Sequence, residues 1–501
     1  MLNGVSIPGR YAGKRRIVPA ADVVNDSFMT TQAMNESFKT PGEDPAYSRL
    51  VDEMHALLGR AAELAAGYRA TLADRPVAPP VDHSALRSAF GGPLPEAATP
   101  PSEVLEQLAR AAGPGLVATA GPRFFGFVIG GALPAATAAD VLAAGWDQNG
   151  FNAVLSPAAA AAEEVAGGWL KELLGLPATA SAGFVTGGQA ANTAALAAAR
   201  HHVLAEAGWD VERDGLAGAP RVRVVASEER HATVDRALRL LGFGTRAVEP
   251  VKAGPQGAID VEDLRKACEA GSGPLIVCLQ AGNVNTGACD DLRAAREAAP
   301  GAWIHVDGAF GLWAAANPAT RALLDGVELA DSWACDGHKW LNVPYDSGFV
   351  FCARPEVHAA AIAYRAAYLT GAGEVSGMGD LTLESSRRAR GFAVWAALRE
   401  LGRDGVAELV DRCCRLARRF AGKLADGGAE IANDVVLNQV LVSFGGDTDA
   451  LIRKVQDDGT CWLGGTTWRG RRYLRISVSG WSTTEADVDR SAAAILRLAR
   501  Q

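Results

Sequence analysis

The sequence predicts an α/β protein: a mainly parallel sheet of seven strands with flanking helices, followed by a small C-terminal α+β domain. Three observations carry this. Between residues 183 and 353 short β-like runs alternate with helical patterns, as in sheets whose strands are joined by helical crossovers. After residue 394 the pattern changes to a long helix pair and then β-α-β-α, a unit with its own alternation. The chain, at 501 residues, is too long for one compact core, so one large domain with smaller appendages is expected.

Composition narrows the class. Hydrophobic residues at 49% and charged ones at 21% fit an ordinary globular enzyme. A net charge of −8 argues against nucleic acid or an anionic membrane as the main partner. Eight scattered cysteines, with one adjacent pair (Cys413, Cys414) and no C-x-x-C, read as reduced thiols, neither a disulfide framework nor a metal site. Lys14-Arg15-Arg16 is followed by no apolar signal core, and no apolar run reaches transmembrane length. A cytoplasmic enzyme is expected.

In order along the chain, residues 1–45 lack sustained periodicity and read as a poorly ordered leader or an arm over a partner subunit. Leu50, Met54, Leu57, Leu58 and Leu64 predict an amphipathic helix over 45–73, and 76–80 is a linker. Pro100-Pro101-Ser102 introduces another helix near Glu103. The loop 121–127, rich in glycine and phenylalanine, either packs beneath a turn or walls a substrate pocket. Ala-rich helices over 134–149 and 157–174 belong inside a large domain or at a subunit interface. The strands are predicted at 183–186, 222–226, 247–251, 275–279, 303–306, 331–334 and 349–353, with helices at 190–207, 233–241, 261–270 and 292–298. The tail reads as a helix pair over 394–426, a strand at 435–444, a helix at 448–458, a strand at 472–478 and a helix at 484–498. The domains are then 1–110 (arm and helices), 111–390 (large α/β domain) and 391–501 (small domain).

Ligands of such sheets bind beyond the carboxyl ends of the strands. The run Thr186–Asn192, TGGQAAN, joins a strand to a helix there. Glycines that expose helix N-terminal N–H groups make an anion seat suited to a phosphate monoester, or simply a tight turn. It matches neither the P-loop nor G-x-G-x-x-G. Asp307 ends a strand and either points into the crevice or caps the next helix. His231 follows another strand. Lys339 follows a third, between a histidine and a tryptophan, where burial would lower its pKa and free a nucleophilic amine. A Schiff-base lysine, a carboxylate opposite a pyridinium nitrogen, a phosphate at a helix N-terminus and an aromatic ring for stacking are together what pyridoxal 5′-phosphate (PLP) requires.

With TGGQAAN, His231 in SEERHATVDRA, HVDGAF at 305–310, the stretch 331–341 and Arg475 in YLRISVSG, the chain resembles the group II PLP-dependent amino-acid decarboxylases. This is the family of aromatic-L-amino-acid and glutamate decarboxylases, and the resemblance spans roughly residues 50–495. It implies a fold-type-I PLP-dependent transferase-like architecture, a homodimer with its active site near the subunit interface, and PLP as cofactor. Lys339 would then bind the cofactor aldehyde, and Asp307 would keep the pyridine nitrogen protonated. Ala309 and His231 would lie on opposite ring faces. Gly187, Gly188, Gln189, Ala190, Asp336 and His338 would hold the phosphate, and Arg475 the substrate carboxylate. Asn283, where the family often has Gly-Thr-Thr, would lie near the 3′-oxygen. Asp336-Gly337 stands where Asn-Pro is commoner, and Phe310 where Tyr is common.

For the reaction, the resemblance points to Tyr368 in Ala366-Ala367-Tyr368-Leu369. The family's Pro-Thr-Tyr-Leu tyrosine protonates Cα after CO2 leaves, whereas Phe there goes with aldehyde synthesis. The glycine-rich 371–379 reads as a lid. Decarboxylation of an L-amino acid is therefore expected. Phe124, Phe125 and Phe127, with Trp146, Phe151, Trp462 and Trp468, favour an aromatic or apolar side chain; Arg123 is the candidate cation for a glutamate-type substrate. The alternatives are a PLP-dependent aldehyde synthase or C–C lyase on the same scaffold, or a non-catalytic PLP-binding protein.

Overall fold

The computed structural model describes residues 45–79, 81–364 and 377–501. The expected leader, Pro80 of the linker, Tyr368 and most of the glycine-rich stretch after it lie outside the described residues. Two compact units divide the chain, 1–60 and 61–501. The described part of the first is the opening of the helix Pro45–Ala70, with Leu50, Met54 and Leu58 exposed. Everything below concerns the second.

Its main sheet has seven strands: β1 (Ser181–Val185), β2 (Arg223–Ser227), β3 (Val248–Val251), β4 (Leu275–Gln280), β5 (Trp303–Asp307), β6 (Ser332–Asp336) and β7 (Gly348–Cys352), in the order β1-β7-β6-β5-β4-β2-β3. β6, β5, β4, β2 and β3 pair in parallel, while β7 runs antiparallel to both of its neighbours. The cause lies in the connection. Residues 337–347 between β6 and β7 contain no helix, and without a crossover a strand returns beside its predecessor in the opposite sense. β1 consequently points the same way as β6. β5, β6 and β7 are buried at every position, as expected for strands covered on both faces.

A second, antiparallel sheet, β10-β11-β9-β8, is built from β8 (Glu430–Ile431), β9 (Gln439–Ser443), β10 (Gly464–Trp468) and β11 (Arg471–Ser477). Sequence reading found β9 and β11 and missed β8 and β10. β8 has two residues, and β10 reads Gly-Gly-Thr-Thr-Trp, whose glycines suggest a loop. What makes β10 a strand is its hairpin with β11, closed by Arg469 (φ 48°) and Gly470 (φ 77°), both left-handed as a tight two-residue turn demands.

Caps account for the helix bounds. Ser156 accepts from Ala159 N–H ahead of the helix Pro157–Leu174, and Gly175 (φ 71°) ends it. Thr484 and Asp487 form a capping box for Glu485–Ala499. Gly402 (φ 61°) interrupts Gly391–Asp426, which is the expected helix pair. The helix His83–Phe90 falls outside the expected elements; Leu86 and Phe90 lie one turn apart on it, but it is short and buries no residue. Inside the fold, Arg387 donates to both oxygens of Glu163 (2.7 and 2.6 Å) and to Phe184 O (3.3 Å), fastening the helix Pro157–Leu174 to β1. Among the described residues no helix is long and apolar enough to cross a membrane.

Candidate active site

The carboxyl ends of β1, β2, β5 and β6 open on one edge of the sheet. At the end of β1 the chain turns through Gly187 into the helix Gly188–Glu206, and Gly188 N–H donates to Asp336 Oδ1 (2.5 Å). The glycines are a steric requirement. A Cβ on Gly187 would stand 2.8 Å from His338 Cε1, one on Gly188 3.0 Å from Asp336 Oδ2, and one on Gly348 2.5 Å from Gly187 Cα. Gln189 Nε2 donates to Thr193 Oγ1 and Thr233 O, both at 3.3 Å, and Ala190 is half-buried beside it.

Asp336 ends β6 and is buried; Lys339 Nζ lies 2.9 Å from its Oδ2. His338 Nδ1 accepts from Ser347 N–H (3.1 Å), so its proton sits on Nε2, 3.5 Å from Asp336 Oδ1. Burial pushes the His338 pKa down. Its ring packs against Tyr345 at 4.5 Å. The loop from 121 to 133 runs alongside: a Cβ on Gly130 would collide with Lys339 O, and Leu133 N–H donates to Asn342 O (2.8 Å).

Asp307 does not cap the helix that follows, because that 3-10 turn, Gly311–Ala316, starts after Phe310. Its Oδ1 accepts from Ala309 N–H (3.3 Å), and its Oδ2 from Asn192 Nδ2 (3.0 Å) and Thr233 Oγ1 (3.4 Å). His231 caps the helix Ala232–Leu240: its Nδ1 lies 3.3 Å from Thr233 N, whose hydrogen it accepts, and 2.8 Å from Thr233 Oγ1. Burial lowers the His231 pKa; Asp307 and Asp336 oppose that while Lys339 and Arg475 reinforce it, so all four charges bear on one ring. Arg475, on β11, has its pKa lowered by burial, makes one long bond to Val284 O (3.4 Å) and has no ion-pair partner among the described residues.

The structure thus gathers Gly187, Gly188, Gln189, Ala190, His231, Asp307, Ala309, Asp336, His338, Lys339 and Arg475. Six expectations are corrected. Asp336, expected among the phosphate ligands, is a carboxylate already paired with Lys339 Nζ and Gly188 N–H, so it has no donor to offer a phosphate. Asn283 is buried, with Oδ1 accepting from Asn285 and Thr286 N–H (2.9 and 3.3 Å) and Nδ2 donating to Glu229 O (3.4 Å), so its amide is engaged in holding backbone. Phe125 belongs to the core beneath the four-stranded sheet, edge-on to Phe420 at 5.2 Å; exposing it would forfeit about 2–3 kcal/mol. Arg123 is spent on the carbonyls of Thr460, Ala73 and Arg75 and is no pocket cation. Trp468 is buried in the small sheet. Phe124 is buried and stacked on Trp462 (4.8 Å, 6°), leaving Phe127, 60% exposed, as the aromatic of that loop still open to contact. Asn192 and His305 lay inside the quoted motifs without a role. The available signal was the two-residue repeat that sets Trp303, His305 and Asp307 on one face of β5.

These residues fit PLP. The glycine cradle leaves no room for side chains where a phosphate approaches the helix N-terminus, a lysine amine lies beside it, and Asp307 offers a carboxylate that holds neutral donors only. Among the described residues no cluster of His, Cys, Asp or Glu is arranged to hold a metal ion.

Comparison with known proteins agrees. Residues 85–445 match the pyridoxal-dependent decarboxylase conserved domain. The chain is 28% identical over 465 residues to aromatic-L-amino-acid decarboxylase of Bacillus atrophaeus, spanning 87% of this chain and 93% of that one. It is 27% identical over 450 residues to 4-hydroxyphenylacetaldehyde synthase of Rhodiola rosea, spanning 84% and 90%. Its fold matches the crystal structure of Oryza sativa TDC with PLP and tryptamine at a TM-score of 0.83, with 25% identity and coverage of 90% and 98%. With more than half of its length inside that domain, the chain belongs to the pyridoxal-dependent decarboxylase family of PLP-dependent carboxy-lyases.

Proposed function

We propose that the protein decarboxylates an L-amino acid with an aromatic or apolar side chain, releasing CO2 and the corresponding amine. The observation that carries this is the convergence of Lys339, Asp307, His231 and the Gly187-Gly188 seat on one sheet edge. PLP, when bound, supplies a protonated pyridine ring that accepts the electron pair left as a bond at Cα breaks. Lys339 provides the amine that anchors the cofactor and gives way to the substrate amine. Asp307 Oδ2 holds a proton at the ring nitrogen. His231, whose pKa burial lowers, would stack on the ring without adding charge, and Ala309 would be small enough for the other face. Gly187, Gly188, Gln189, Ala190 and His338 seat the phosphate. Arg475, free of ion pairs among the described residues, binds the substrate carboxylate. Tyr368 returns one proton to Cα after CO2 departs, so that the amino acid and a proton become the amine and CO2.

The substrate preference is supported by Phe127, on the loop that passes Lys339 O, whose ring lies 5.3 Å from that of Trp462, and by the aromatic substrate in a relative's name. We read residues 111–390 as the cofactor-binding domain and 391–501 as the small domain, each with its own sheet. A homodimer with the active site near its interface is supported by the exposed Val141, Leu142 and Trp146 on an Ala-rich helix, and a cytoplasmic location by eight free cysteines.

The second reading is aldehyde synthesis, favoured by the Rhodiola rosea relative. There the amino acid, O2 and water become aldehyde, CO2, ammonia and hydrogen peroxide. One experiment separates them: the PLP-loaded protein is given a panel of L-amino acids while CO2, amine, aldehyde and peroxide are quantified. The expected result is amine and CO2 in equal amounts from aromatic substrates, with output moving toward aldehyde in Tyr368→Phe. Aldehyde and peroxide from the unmodified protein would replace the first reading with the second, and no CO2 from any substrate would reject both.

A further inference from the structure

We infer that Asn192 and His305 are positioning residues. They belong to a buried, one-way hydrogen-bond chain, Trp303–Ser332–His305–Asn192–Asp307, that presents Asp307 to the cofactor nitrogen strictly as an acceptor. The inference rests on the PLP reading of the site.

The direction of the chain follows from donor chemistry. An indole N–H only donates, and Trp303 Nε1 gives its hydrogen to Ser332 Oγ (2.9 Å). The Ser332 hydrogen is then free for His305 Nδ1, 3.0 Å away. With Nδ1 accepting, the His305 proton is on Nε2, which meets Asn192 Oδ1 at 2.9 Å. That fixes the amide orientation, so Asn192 Nδ2 faces Asp307 Oδ2 at 3.0 Å as a donor. The acceptor-only carboxylate fixes this order from the far end: Asn192 must turn Nδ2 to Asp307, its Oδ1 then takes the His305 Nε2 hydrogen, and Nδ1 of the neutral ring is left to accept from Ser332.

Geometry locks the chain in place. Trp303, His305 and Asp307 alternate along one face of β5, and Ser332 is the register partner of His305 on β6. Asn192 reaches them from the first turns of the helix Gly188–Glu206 whose start forms the phosphate seat. Ser332 and His305 are fully buried and Asn192 is 1% exposed, so water does not substitute for a missing link. Burial also pushes the His305 pKa down to about 4, which keeps the ring neutral, as the chain requires. Apolar residues would fill this space at lower cost, since each buried polar group must be satisfied. A directed polar chain that stops at Asp307 instead denies Oδ2 any acceptor among its protein partners. Its remaining attraction is for a cation or a hydrogen donor, which a protonated ring nitrogen is.

The test uses full-length protein loaded with PLP labelled at the ring nitrogen. Three quantities are read: the ring-nitrogen NMR shift, the pH at which the visible band of the bound cofactor titrates, and the kcat and KM for amine formation. Asn192→Ala and His305→Leu are expected to move the nitrogen signal toward unprotonated pyridine and to lower kcat about tenfold to a hundredfold, with KM within about twofold. His305→Gln, which still accepts from Ser332 and donates to Asn192, should restore most of the signal. Should His305→Leu fail to fold, Ser332→Ala removes only a hydroxyl and should shift the signal the same way to a smaller extent. A nitrogen signal unchanged from wild type in folded, PLP-loaded Asn192→Ala would overturn the inference. If the unmodified protein takes up no PLP, the reading of the site fails instead.

Discussion

Replacing Gly187 with alanine tests the phosphate seat directly. The backbone there, with φ of 160°, is extended and accepts any residue, so the cost is steric. The added Cβ would stand 2.8 Å from His338 Cε1 and 3.3 Å from Asp336 Oδ1. Neither neighbour yields easily. His338 is held by Ser347 N–H and packed on Tyr345, while Asp336 is tied to Gly188 N–H and Lys339. Overpacking of this kind costs about 1–3 kcal/mol. If that cost falls on the cofactor-bound form, at about 1.4 kcal/mol per tenfold, the PLP Kd rises about fivefold to a hundredfold. The assay is a PLP titration of apoprotein followed by absorbance, with circular dichroism to confirm the fold. Gly145→Ala, with nothing within 4 Å of its Cβ, is the control and should bind PLP as wild type does. A folded Gly187→Ala protein that binds PLP within about twofold of wild type would refute the assignment of this turn as the seat.

Two stability predictions follow from buried charges. Burial pushes the Glu163 carboxyl pKa up against the pull of Arg387, and Arg387→Ala would strand that carboxylate; a loss of about 3–5 kcal/mol in urea unfolding is expected, against a much smaller change for Glu163→Leu combined with Arg387→Met. His358, buried against Ser181 Oγ (2.8 Å), has its pKa pushed from 6.5 down to about 4. The unfolded chain therefore binds the extra proton first, and stability is lost as pH falls from about 6.5 to about 4. Relative to His358→Gln, the wild type should lose about 1.4 kcal/mol per pH unit in that window, read from urea midpoints at stepped pH; parallel curves would show that His358 does not titrate this way.

Much of the fold was legible because its signals are local. Most strands of the main sheet are short apolar runs bounded by turns, and the helices Ala232–Leu240 and Val261–Glu269 between them are amphipathic. The gathering of Lys339, Asp307, His231 and the Gly187-Gly188 turn was legible for a topological reason: all follow strands that point the same way. What was not legible depends on partners distant in sequence. Phe125 looks like its neighbour Phe124, yet one enters a core with Phe420 and the other stacks on Trp462. Arg123 is occupied by carbonyls 48 to 337 residues away. Asn283 stands in a motif position, but its Oδ1 serves the turn that follows and its Nδ2 the carbonyl of Glu229, 54 residues away. β10 is a strand only because β11 pairs with it.

The two carboxylates that end adjacent strands show how one sheet edge separates two tasks. Asp307 closes β5 and Asp336 closes β6, and Asp336 N–H donates to Ala309 O, two residues beyond Asp307. Their partners differ in kind. Asp336 is committed to the Lys339 amine at 2.9 Å and to the Gly188 N–H at 2.5 Å, so it serves the lysine and the helix start. Asp307 takes an amide, a hydroxyl and a backbone N–H, and none of the three is charged. A carboxylate surrounded by neutral donors keeps its attraction for a cation, whereas one already paired has largely spent it. Of the two, Asp307 is therefore the one equipped to hold a protonated ring nitrogen. In this structure the Asp336 charge is paired with the Lys339 amine, and Asp307 takes no part in that pair.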